Sequence, residues 1–307
     1  MTELLVTPKS VAHLKTLIDF GADAFVIGEQ KFGLRLAGEF KRTDMKKAVE
    51  IAHKHNKKVY AAVNGIFHNY HLEALEDYIT FLHEINVDRI IFGDPAVVMY
   101  VKAQPHPIAL NWDAEALVTN HFQCNYWGQR GAKRAVLARE LSLEEIINIK
   151  EQSDVEIEVQ VHGMTCMFQS KRMLLGNYYT FQDRQMKIER QQDEQYLLLY
   201  DEERDHNYPV FEDYNGTHIM SPNDICLIEE LEPLFSAGID SFKIDGILQT
   251  EEYINVTTRQ YREAIDLYND DPETYEDEKF MLVDPIEDIQ PAHRPFDEGF
   301  LFKQTVY

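Results

Sequence analysis

The sequence predicts an α/β fold, a (β/α)8 barrel of the TIM type, on three observations. One junction recurs along the chain. Helical patterns stop at Gly21, Asn86, Gly131 and Gly238, and each stop is followed at once by a short apolar run such as Ala22–Phe25 or Ile239–Phe242. Gly and Asn readily take the left-handed C-cap, so each is an αβ junction of a repeating βα unit. Eight such strands alternate with helical segments, in keeping with the roughly 250 residues of a closed barrel. No Gly-rich phosphate-binding turn is present, which disfavours the alternative, an open doubly wound sheet.

The expected strands are Leu4–Val6, Ala24–Ile27, Lys58–Val63, Arg89–Phe92, Ile108–Leu110, Ala135–Leu137, Glu156–Val161 and Ser241–Ile244. Amphipathic spacing places helices at Val11–Phe20, Met45–His55, Leu72–Ile85, Leu143–Lys150 and Asp224–Ser236, with a last one at Glu251–Tyr268. The seventh strand is the clearest: Ile157, Val159 and Val161 alternate with Glu156, Glu158 and Gln160. It runs into His162, Gly163, Thr165 and Cys166, a cluster of reactive side chains of the kind that strand ends aim into a site.

The rhythm breaks between strands seven and eight. That interval holds an acid-rich stretch, Gln182–Tyr214, with Asp193, Glu194, Asp201, Glu202, Glu203, Asp205, Glu212 and Asp213. An insertion at about 180–215 is expected at the barrel mouth, as a lid or docking surface or simply as solvated acid. The barrel is expected over 1–269. The tail, 270–307, carries Pro272, Pro285, Pro291 and Pro295 and reads as irregular. Its apolar end, Gly299–Tyr307, is expected to pack back on the barrel or on a partner.

Composition narrows the function. The 307 residues carry a formal charge of −23, which argues against autonomous binding to nucleic acid, since that rests on Lys and Arg against phosphate. Three cysteines, Cys124, Cys166 and Cys226, make no disulfide framework and suit a reducing compartment. The N-terminal stretch lacks a basic region followed by an apolar core, and no apolar run approaches the ~18 residues of a membrane span. The expectation is a cytoplasmic protein. No Cys-x-x-Cys, His-Glu-x-x-His or Gly-x-Ser-x-Gly occurs, against a standard zinc site and a serine hydrolase.

In a barrel, chemistry sits at the C-terminal strand ends. Those ends carry Thr7, Glu29, Asn64, Asp94, Asn111 with Asp113, Arg139 with Glu140, His162 with Cys166, and Asp245. Their convergence favours an enzyme or small-molecule site. Glu29, Arg35, Asn64, Asp94, Asn111, Asp113, Lys243 and Asp245 are candidate substrate contacts, and Arg139, Glu140, His162 and Cys166 are candidate catalytic groups. Glu29 and Arg35 flank a Gly-rich loop that suits an anion or is simply a mobile connection. Arg139 and Glu140 either hold a carboxylate or form an internal ion pair. His162 is placed to act as a general acid or base or to serve as a structural hydrogen-bonder. Lys243, within a strand, has either a depressed pKa or an acidic partner. Cys166 with His162 is a candidate nucleophile and base, as in a thiol peptidase, or Cys166 is a buried thiol in a turn.

Four stretches carry a family resemblance: Glu158–Thr180, Asn120–Ile146, Asn215–Leu231 and Ala237–Asp266. Together they resemble the collagenase-like peptidase family of unknown catalytic type, family thirty-two. Within it the chain is similar to the bacterial tRNA hydroxylation proteins. That resemblance implies formation of 5-hydroxyuridine at the tRNA wobble position, without oxygen and with prephenate as co-substrate. The typical member also holds a four-cysteine iron–sulfur cluster. By position the first ligand falls on Cys166 and the last on Cys226, while the second falls on Met173 and the third near Glu189–Arg190. The resemblance therefore implies a remnant metal set, no cluster bound autonomously, and a longer paralogous subunit that keeps the cluster. tRNA would be engaged through that complex. The alternatives are a peptidase, as the family's name has it, and a non-catalytic barrel that stabilises a paralogue.

Overall fold

A computed structural model describes residues 2–184 and 197–303. Eight parallel strands close on themselves: β1 (Glu3–Val6), β2 (Ala24–Ile27), β3 (Lys58–Val63), β4 (Arg89–Phe92), β5 (Ala109–Trp112), β6 (Ala132–Val136), β7 (Glu156–Ser170) and β11 (Ser241–Ile244). Each pairs with the next, and β11 pairs with both β7 and β1, which completes the ring. The (β/α)8 barrel read from the sequence is the fold observed.

Helices cover the outside: α1 (Val11–Asp19), α2 (Arg42–Lys54), α3 (Leu72–Glu84), α4 (Pro95–Ala103), α5 (His121–Gly128), α6 (Leu143–Gln152), α7 (Leu174–Phe181), α8 (Glu232–Ser236), α9 (Glu251–Asp270) and α10 (Pro272–Glu287). The main apolar core lies between the strands and these helices, and includes Phe25, Leu75, Ile90, Ile157 and Phe242. Burial of this outer layer is the main driving force for closing the ring.

Four expectations need correction. Asp224–Ser236 is not one helix: Asp224–Cys226 ends strand β10 (Gly216–Cys226), and only Glu232–Ser236 is helical, started by Pro233. The tail is not irregular. Asp271 caps α10, and Pro272 sits in its first turn, where a missing N–H costs nothing. The helix packs beside α9, and Tyr275 Oη donates to Ile228 O at 2.7 Å. β5 runs to Trp112, so Asn111 lies inside a strand instead of at its end. Finally, α4, α5 and α7 escaped the sequence reading; α5 is short and almost equally apolar all round.

The insertion is a sheet. β7 continues past Gly163 out of the barrel wall, and this extension pairs antiparallel with β10. β9 (His206–Asp213) and β8 (Leu197–Asp201) add to it in turn. Its acids are not uniformly solvated. Glu212 is buried and accepts the first N–H groups of α7, from Leu175 and Gly176 at 2.9 and 3.1 Å, while buried Asp213 pairs with His218 at 2.9 Å. Glu202, Glu203 and Asp205 do lie exposed in the β8–β9 turn. Asp193, Glu194 and positions 189–190 fall outside the described residues, as do the last four of the chain. No described helix is long and apolar enough to cross a membrane.

Candidate functional site

The barrel interior is built in three layers. At the N-terminal end lies an ionic floor. Arg134, 2% exposed, contacts Glu3 at 2.7 Å, Glu156 at 2.8 Å and Glu158 at 3.2 Å, and Arg89 makes a two-point pair with Glu156. Tyr60 closes this floor by donating to Glu3 at 2.7 Å. Above it sits an apolar layer of Leu5, Val26, Tyr60, Ala62 and Ile91. The third layer, at the C-terminal ends, is polar again, where barrels carry their chemistry.

That mouth layer is a bonded cluster around Glu115 with a further ion pair beside it. Glu115, on the turn after β5, bridges two guanidinium groups: its Oε1 pairs with Arg35 Nη2, and its Oε2 lies 2.8 Å from Arg139 Nη1. Arg139 Nε donates to Gln160 at 2.9 Å, and Arg35 Nη1 to Gln169 at 3.0 Å. Asp113 accepts from Asn64 Nδ2 at 3.2 Å and from the Glu115 N–H at 3.1 Å. Lys243 pairs with Asp245 at 3.1 Å, and Thr7 accepts the Gly246 N–H at 2.7 Å. These groups enclose a void of ≈ 30 Å³, room for one or two waters and not for a metabolite.

Electrostatics follow from the pairing. Burial alone would raise the Glu115 carboxyl, but Arg35, Arg139 and Lys243 hold it down at about 2. Asp113 goes the other way: burial and then the Glu115 charge raise it, and Arg139 offsets only part. Burial would lower Lys243, yet Asp245 outweighs it and the ammonium is held above its ordinary value. The expected alternative of a depressed Lys243 is thereby corrected. Burial also raises the Cys166 thiol, with Arg35 pulling partly against it, so it is a neutral thiol at pH 7.

The mouth thus gathers Arg35, Asn64, Asp113, Arg139, Lys243 and Asp245 of the expected residues, and Cys166 lies within electrostatic reach of Arg35 and Arg139. The others sit elsewhere. Asn111 turns to the floor, where its Oδ1 accepts from Arg89 at 3.2 Å. Asp94 caps α4 by accepting the Ala96 N–H at 2.8 Å. Glu29 pairs with Arg42 at 3.4 Å outside the mouth. Glu140 is exposed, and Arg139 takes Glu115 instead.

His162 is fully buried behind the barrel wall. Its Nε2 is 2.8 Å from Tyr253 Oη, and its ring packs edge-on to Tyr261 and Phe296. Burial, and then Arg294, hold its pKa at about 3, so it is no general base at neutral pH. The thiol–histidine pair is therefore not formed. Nor are the two cysteines together. Cys226 faces Tyr261 at 3.9 Å and pairs across the sheet with His162, whereas Cys166 pairs with Met220, roughly 13 Å farther along β7 by strand rise. Met173 offers a thioether at the second ligand position, which is no substitute for a thiolate. Among the described residues no cluster of His, Cys, Asp or Glu is arranged to hold a metal ion. The donor set present does not fit a four-iron cluster.

The sequence reading missed Glu115, Gln160 and Gln169. Glu115 was legible as the second acid of an Asp-x-Glu pair at a strand end. Gln160 was legible only as one member of the alternating face of β7, and that face meets the barrel interior, where Gln160 is buried.

A family model, peptidase family U32, matches residues 9–306. The chain belongs to peptidase family U32. It is 57% identical over 305 residues to tRNA hydroxylation protein P2 of Bacillus subtilis (strain 168), with 99% of each chain covered. The same organism has tRNA hydroxylation protein P1, to which this U32 chain is 33% identical over 281 residues, covering 91% of this chain and 67% of that one. Among solved structures, the U32 peptidase Mk0906 superposes with a TM-score of 0.52 at 17% identity, over 80% of this chain and 92% of that one. A dihydrodipicolinate synthase from Bacillus anthracis does so at 0.51 and 11% identity, over 95% and 84%. These structural likenesses speak for the barrel fold alone.

Proposed function

We propose that this chain is one subunit of a cytoplasmic system that hydroxylates tRNA, forming 5-hydroxyuridine at the wobble position without oxygen and with prephenate as co-substrate. The observation that carries the reading is the 57% identity to a tRNA hydroxylation protein along essentially the whole of both chains. The site supports it in kind. Two arginines and a lysine at the mouth suit a small carboxylate better than a peptide backbone, whose recognition needs neutral donors and acceptors.

The division of labour follows from what this chain lacks. With a net charge of −23 it is poorly suited to hold RNA by itself, so a longer paralogous subunit or the joint surface takes the tRNA. With Met173 where a thiolate belongs, and Cys166 and Cys226 apart, the cluster belongs to that paralogue. The occurrence of both P1 and P2 proteins in one organism accords with a pair.

Nucleoside mass spectrometry of tRNA tests the reading, in cells that lack only this gene and have any second hydroxylation route disabled. Loss of 5-hydroxyuridine and its derivatives, restored by the gene, is expected. Unchanged levels would sink the proposal. Affinity purification is expected to bring down a longer U32 paralogue in equal amounts, and iron analysis of the anaerobically purified chain alone is expected to find none.

A further inference from the structure

The mouth network contains a contradiction. Its two guanidinium groups converge on one point, the arrangement that receives a carboxylate, yet the carboxylate there is the protein's own Glu115. Both partners sit on backbone that resists them. Glu115 has φ 55°, and Arg35 has φ 47°, in the left-handed region that non-glycine residues rarely take. Glu115 opens a three-residue 3-10 turn, Glu115–Leu117, and Arg35 lies in the irregular loop between β2 and α2. The turn ends in Leu117, which is 68% exposed and so adds little that would pin it down. Beside Arg35, the Gln169 Nε2 is buried with no hydrogen-bond partner among the described residues, a donor left unspent.

We propose that Glu115 is a displaceable latch: it occupies the carboxylate seat formed by Arg35 and Arg139, and a small carboxylate ligand binds the mouth by replacing it. Charge accounting favours a carboxylate ligand. Arg35, Arg139 and Lys243 face Asp113, Glu115 and Asp245, three cations against three acids. When Glu115 swings out, the seat is left with three cations against two acids, one positive charge in excess. One carboxylate of the ligand takes the guanidinium fork, as bidentate pairs do. Gln169 Nε2, beside Arg35, is free to donate to the same ligand. Space requires the same movement, since the closed mouth leaves only ≈ 30 Å³. The latch keeps the two arginines paired while the site is empty, and its cost appears as a weaker apparent affinity.

The proposal depends on the function above only in the choice of prephenate as a probe. The test is calorimetric titration of the purified full chain and its Glu115→Gln variant with prephenate and, separately, with succinate. Gln keeps the side chain's size and removes its charge. If the latch is closed nine-tenths of the time, releasing it tightens binding about tenfold. Arg139→Lys is expected to abolish most binding, since it loses the fork. Hydrogen exchange of the segment 114–118 gives a second readout: the ligand is expected to speed exchange there, as the turn is expelled. Binding by wild type that Glu115→Gln leaves unchanged or weakens would overturn the latch. No binding of either dicarboxylate by either protein would overturn the seat itself. Tightened binding of succinate without prephenate would keep the latch and remove prephenate, a result independent of the tRNA assay.

Discussion

Arg139 and Glu115 come from the loops after neighbouring strands β6 and β5, and meet at 2.8 Å over the barrel mouth. No short-range rule brings them together. The ring does so, because β5 and β6 are hydrogen-bonded neighbours whose C-terminal ends open on the same side. Arg35 joins from the opposite wall of the same opening.

Arg139 is therefore expected to matter more for activity than for folding. Arg139→Ala should lower 5-hydroxyuridine in tRNA at least tenfold when it replaces the wild-type gene. Its stability should fall by only ~1–3 kcal/mol, the range for charge-assisted hydrogen bonds, because Glu115 keeps Arg35 as a partner. Nucleoside analysis and urea unfolding measure the two effects. A large stability loss with modification intact would place Arg139 in the scaffold instead.

His162 predicts a pH dependence of stability. The folded ring takes up a proton only near pH 3, whereas the unfolded ring does so near 6.5. Between these values the unfolded chain holds more protons. The contribution of His162 is thus fully present above about pH 6.5 and is lost as pH falls toward 3. From pH 7 to pH 5 the wild type should lose ~2 kcal/mol more than His162→Gln. Equal losses in urea titrations of the two proteins would show that the ring is not held neutral.

Arg294 ties the C-terminal segment to the insertion. It is 1% exposed and paired with Asp224, which also accepts from Gln249 at 3.0 Å and Gln290 at 2.8 Å. Arg294→Ala leaves a buried carboxylate short of its charge partner and should cost ~3–5 kcal/mol. The double change Arg294→Met with Asp224→Leu should recover much of that. Guanidinium unfolding curves check both variants.

Gly163 marks the point where β7 leaves the barrel. Its φ is 106°, and a Cβ there would lie 2.2 Å from Asp245 O. Gly163→Ala should cost ~2–4 kcal/mol and disturb the Lys243–Asp245 pair. Gly238→Ala is the control. Gly238 is also left-handed, at φ 71°, but nothing lies within 4 Å of its would-be Cβ, so only ~1 kcal/mol or so is expected. Thermal melts of both variants separate crowding from backbone preference.

Particular residues mark where the sequence stopped being legible. The barrel was readable because each αβ junction is local: a C-cap and an apolar run within a few residues. Gln160 and Glu158 were readable as one face of β7, but not as an interior face, since strand alternation says nothing of which side meets water. Asn111 and Asp94 looked like mouth groups from their position, and became a floor contact and a helix cap once the strand and helix bounds were known. His162 was legible as either a general acid or base or a structural hydrogen-bonder, and the structure shows the second. What silenced it was Tyr253, 91 residues away.

The sequence by itself determined the ring of eight strands, the excursion between the last two, and the family, because these rest on local spacing and on motifs carried within single segments. Only the tertiary structure decided the site. Pairing Glu115 with Arg35 and Arg139, separating Cys166 from Cys226, and folding α10 back on α9 are contacts between distant segments. Closure of the barrel sets those distances, and no property of one segment encodes them.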